Sequence, residues 1–72
     1  MPRKIKELRA DLRRAGFRLR PGHGSHERWT HPLVRGRVTL SGGDGDDAQH
    51  YQEQQVARAL EVLADAQRRQ QP

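Results

Sequence analysis

The sequence contains no cysteine. That excludes a disulfide framework, a thiolate metal site and a cysteine nucleophile. Aromatic residues are almost as scarce, with one Phe, one Trp and one Tyr among 72 residues. Leu, Ile, Val and Phe together number thirteen, under one-fifth of the chain. Chains poorer than this in apolar residues tend not to fold. No apolar run exceeds three residues, too short for a transmembrane helix or the apolar stretch of a secretory signal. The expected location is the cytoplasm, with no membrane partner. With so little apolar material the chain can build one small core, and nearly every apolar side chain must enter it.

What the chain has in quantity is arginine. Lys and Arg number 14, twelve of them Arg, against nine acids, for a formal net charge of +5. A guanidinium pairs bidentately with phosphate, so a basic, Arg-dominated small domain suits a polyanion. A solvated charge shell is the simpler alternative.

Residues 3–15 read as a helix. Ile5, Leu8, Leu12 and Ala15 make one apolar stripe at spacings of three and four. Pro2 stands at its start and Gly16 where a left-handed cap is expected. Residues 17–20 alternate apolar and basic, as a half-buried strand does. Pro21-Gly-His-Gly24 breaks the chain; its glycines suit a tight connection or a turn whose amides approach a phosphate. Residues 25–30 read as a second strand ended by His31-Pro32. Residues 33–36 read as a turn and 37–40 as a third strand. Residues 41–47 form a Gly/Asp loop. Residues 48–68 form a second helix, with Asp47 as its N-cap and Val56, Ala59, Leu60, Leu63 and Ala64 on its apolar face, which Tyr51 extends. The expected organisation is one domain over residues 1–68 and a frayed polar tail over 69–72.

The order helix, three strands, helix with short connections predicts an α+β fold. It has a three-stranded antiparallel sheet with both helices on one face. Strand alternation then assigns the two faces. Phe17, Leu19, Trp29, Val38 and Leu40 point toward the helices. Arg18, Arg20, His26, Arg28, Thr30, Arg37 and Thr39 point away, so the open face carries four arginines around one histidine. A neutral imidazole in that setting can take the proton of a ribose 2′-OH while arginines stabilise the charge developing on phosphorus. An exposed strand histidine without a role is the competing reading. Metal chemistry fits poorly. His26-Glu27 is followed by His31 one position too late for the zincin pattern, and strand parity sends His31 to the other face. No metal or other cofactor is expected. The Asp44-Gly-Asp46-Asp47 run lacks the spacing of a calcium loop.

Read together, "GFRL", "GSHERWTHP" and "RVTL" between two helices resemble the HicA toxins of bacterial toxin–antitoxin systems. The likeness covers about residues 4–64, and its most specific part is Gly24-Ser25-His26. It implies a fold similar to double-stranded RNA-binding domains, ribosome-independent cleavage of mRNA, and a HicB-type antitoxin covering the sheet. It implies that His26 is the catalytic residue. Gly24 and Ser25 of the motif join Arg18, Arg20, Arg28 and Arg37 as the expected RNA-contacting set, with single-stranded RNA as substrate. Many members carry basic residues after the third strand; here that stretch is acidic. The acids of residues 44–47 therefore either weaken RNA binding or meet a partner. A non-catalytic module that binds RNA or an antitoxin is the competing function. Dimerisation through a free sheet edge is open.

Overall fold

A computed structural model of the chain describes residues 2–21, 24 and 26–70. The element order is α1 (Ile5–Ala15), β1 (Arg18–Pro21), β2 (Glu27–His31), β3 (Val34–Leu40) and α2 (His50–Gln70). The three strands form one antiparallel sheet in the order β1-β2-β3. This is the α+β arrangement that the sequence predicts, with helices packed over one side of the sheet.

The core is drawn largely from the residues that the two periodicities select. Ile5, Leu8 and Leu12 from α1 meet Phe17, which just precedes β1 and is not in the strand the sequence places it in, Trp29, Val38 and Leu40 from the sheet, and Val56, Ala59 and Leu63 from α2. Trp29 is 1% exposed and is the largest side chain in this core, as expected of the one large ring the chain has. Arg13 lies over it, 5.4 Å from the ring centroid, where a cation is drawn to the face of the ring. At the end of α1, Gly16 takes φ +96°, and its N–H bonds the Arg13 carbonyl at 3.0 Å.

Four expectations give way. Leu19 is 46% exposed, not buried. It stands opposite Trp29 and so belongs to the helix side. However, α2 lies against β3 and α1, leaving the outer strand poorly covered. The third strand starts at Val34, not at residue 37. Trp29 pairs with Val38 but His31 pairs with Val34, so β3 absorbs two extra residues in a bulge, and Gly36 supplies φ +80° there. Asp47 does not cap α2. Gln49 holds that place: its N–H donates to the Gln52 side chain at 2.8 Å, and its carbonyl accepts from the N–H groups of Gln52 and Glu53. Tyr51 and Ala64 stay exposed, so the buried face of α2 is narrower than its composition suggests.

Gln52 shows how a small core tolerates a polar group. It is buried, accepts from Gln49 and donates to the Ser41 carbonyl at 3.3 Å. Both ends of its amide are satisfied, so its burial carries no unpaired cost.

Candidate nucleic-acid interface

The face of the sheet turned from the helices is built by strand register. Arg20 stands opposite Arg28, and Arg28 opposite Thr39; Arg18 stands opposite Thr30. Residues directly opposite share a face. Arg20, Pro21, Arg28, Thr30, Gly36 and Arg37 together line a concavity of about 440 Å³. The bulge at Gly36 thus helps shape the surface, a contribution that a bare alternation count does not reveal. Arg28 is held in place by its own sheet: its guanidinium donates to the Pro21 carbonyl at 2.9 Å.

The charge is sorted by side of the molecule. The ion pairs of the described residues join Arg3 to Glu7 and Asp11, Lys4 to Asp47, Arg9 to Glu27 and Asp44, Arg14 to Asp11, and Arg68 to Asp65. Except for Glu27, every partner lies on a helix, just before one or in the 41–47 loop. Among the described residues Arg18, Arg20, Arg28 and Arg37 have no carboxylate partner. Four guanidinium groups on one face without an internal counterion favour an anion from outside.

The acidic loop is the reverse case. Its acids are used inside the fold. Asp44 pairs with Arg9, Asp47 with Lys4 at 2.5 Å, and the Asp46 carboxylate accepts from the Gly43 N–H at 2.7 Å. The backbone carbonyls of Asp46 and Asp44 accept from the N–H groups of Ile5 and Lys6 at 2.9 and 3.3 Å. The loop therefore closes the amino end of α1, where donors are otherwise unsatisfied and negative charge is favoured. Asp44 and Asp47 thus have partners within the fold, on α1 or just before it.

Arg9 ties these parts together. Its side chain is 12% exposed and donates to Glu27 at 2.9 Å, to the Gly42 carbonyl at 2.7 Å and to Asp44. The hydrogen bond to Glu27 is the largest influence raising the Arg9 pKa, with burial opposing it. Glu27 also accepts from the Trp29 indole N–H at 3.3 Å. No spacing rule joins residues 9, 27 and 44, so sequence reading does not bring them together.

His26 is exposed and immediately precedes β2, so it is not on a regular element as the strand reading has it. Gly24 is exposed with φ +62°. Ser25, and His23 of the glycine turn, lie outside the described residues. His31 is on β2: its Nδ1 accepts from the Leu33 N–H at 3.0 Å, and its ring packs on Phe17 with centroids 5.2 Å apart. It acts in the turn between β2 and β3. No helix among the described residues is long and apolar enough to cross a membrane.

No curated protein and no solved structure gives a significant match to the chain. A family model does: the one for the HicA toxin of bacterial toxin–antitoxin systems matches residues 5–62, from the first residue of α1 well into α2. The match takes in α1, the three strands and the first part of α2, and the chain belongs to the HicA toxin family.

Proposed function

We propose that this protein is the toxin of a toxin–antitoxin pair and acts as a metal-independent endoribonuclease on single-stranded mRNA. The observation that carries the reading is the open sheet face. Its arginines lack internal counterions, and His26 immediately precedes the strand that bears Arg28. In the reaction His26 takes the proton of a ribose 2′-OH. The freed oxygen attacks the adjacent phosphorus, and the bond to the 5′-oxygen breaks. That oxygen leaves with a proton from solvent or another acid, giving a 2′,3′-cyclic phosphate and a 5′-OH end. Arg20, Arg28 and Arg37 steady the charge on the phosphoryl oxygens, and Arg18 extends the path of the backbone. Gly24 and Ser25, which precede the histidine in the sequence, contact the phosphate. A HicB-type antitoxin silences the protein by covering this face.

The test is a 5′-labelled single-stranded RNA incubated in chelator with the protein and with its His26→Ala variant. Cleavage by the parent alone, ending in a cyclic phosphate, supports the reading. Intact RNA with both proteins, while binding persists, gives the surface to a binding module. Cleavage of a matched DNA would overturn the role of the 2′-OH.

A further inference from the structure

A second basic surface lies on the opposite edge of the sheet from β1. Between the free edge of β3 and α2 runs a groove in two adjoining parts. One is lined by Val34, Arg35, Arg37, Arg58 and Val62 above buried Phe17 and Val38. The other is lined by Leu33, Arg35, Val62, Ala66 and Arg69. Arg35 and Val62 belong to both, so the surface is continuous. Its floor is apolar: Leu33 and Val34 are half-buried, and Val62 is 44% exposed. For a chain this short of apolar residues, an exposed valine on the long helix is an expense that core packing does not explain.

The rim is cationic. Arg35, Arg37, Arg58 and Arg69 have no carboxylate partner among the described residues, and the one acid in the lining, Asp65, is engaged by Arg68. The strand edge adds backbone groups. Gln55 accepts from the Thr39 N–H at 3.3 Å, closing that end of the edge, while the half of β3 toward Val34 flanks the apolar floor. The bases of a single strand stack on exposed aromatic rings, and this floor is aliphatic, with its one ring, Phe17, buried. A protein segment can bring both carboxylates and apolar side chains.

We propose that this groove receives an acidic segment of another protein, its carboxylates on the four arginines and its apolar side chains over Leu33, Val34 and Val62. This surface is distinct from the sheet concavity, which it meets only at Arg37, a residue lining both. Occupation of the groove therefore draws one arginine away from the open face. The groove binds its segment whether or not the open face cleaves RNA.

The probe is a short synthetic peptide in which Asp alternates with Val, titrated into the isotope-labelled full chain and followed by backbone amide shifts. The expected result is saturable movement at residues 33–37, 58, 62 and 69. Val62→Asp and Arg58→Glu should each weaken binding about tenfold, as loss of an anchor does. The double variant Arg20→Gln/Arg28→Gln should leave it nearly unchanged. Val62 and Arg58 are exposed, and the two variants change different chemistry, so failure of one to fold leaves the other to decide. No saturable shift up to millimolar peptide, or shifts confined to residues 18–30, would overturn the proposal. Tighter occupation of the same groove residues by an oligodeoxythymidylate would overturn it too, assigning the groove to nucleic acid.

Discussion

The guanidinium of Arg9 on α1 and the carboxylate of Glu27 at the start of β2 meet at 2.9 Å, with the Trp29 indole on the same carboxylate oxygen. This contact fastens the first helix to the strand that His26 precedes. Arg9→Met removes the donor and leaves a half-buried carboxylate short of its partner. Such a loss costs about 1–3 kcal/mol. Urea unfolding followed by circular dichroism should show it as a lower midpoint with unchanged slope. Arg14→Ala, which breaks an exposed pair with Asp11, should shift stability by less than about 0.5 kcal/mol.

Trp29 should prove indispensable to the fold. Truncating a buried aromatic to Ala costs about 3–5 kcal/mol, and a domain of this size rarely has more than about 3–5 kcal/mol to lose. Trp29→Ala is therefore expected to be unfolded at room temperature. Trp29→Phe keeps most of the volume but cannot donate to Glu27, and should fold with a reduced melting temperature. A Trp29→Ala protein with a cooperative, near-parental transition would show that the core is not organised around this ring.

Gly16 has two reasons to resist substitution. Its φ of +96° is costly for a residue with a side chain, and an added Cβ would stand 3.4 Å from His31 Nε2. Gly16→Ala should destabilise by about 1–2 kcal/mol from backbone conformation alone. Gly45 lies in the acidic loop with no neighbouring atom within 4 Å of an added Cβ and no positive φ. Gly45→Ala should be neutral or slightly stabilising. Equal effects at both positions in thermal unfolding would contradict the role of Gly16 as the α1 cap.

These sites together show which features sequence periodicity can reach. The α1 stripe, the buried Trp29 and the arginine face follow from spacings of two, three and four, because side-chain direction is set locally. Leu19 has the right parity and still stays exposed, since burial needs a covering helix and β1 has none above that position. The bulge at Gly36 escapes an alternation count because two extra residues restore the phase. Asp44 and Asp47 look like free charge in the sequence; their partners Arg9 and Lys4 are more than thirty positions away. His26 is legible as a motif residue, whereas its place just outside β2 depends on where the register ends.

Binding and chemistry should separate cleanly on the open face. Arg20→Gln, Arg28→Gln and Arg37→Gln each remove one cation that lacks an internal partner. Removing one cation from the phosphates of a single strand lowers the slope of log affinity against log salt by about 0.7. The three single variants should therefore weaken binding of a non-cleavable 2′-deoxy oligonucleotide more at low salt than at high salt, and the triple variant should lose about 2 units of slope. His26→Ala should keep parental affinity and slope while losing cleavage of the matching RNA. Lys6→Gln on α1 serves as the control: it alters net charge equally but lies off the sheet, so its slope should stay near the parent's. If Lys6→Gln and Arg28→Gln changed the slope alike, attraction would belong to total charge, and the face would have no privileged path for a backbone.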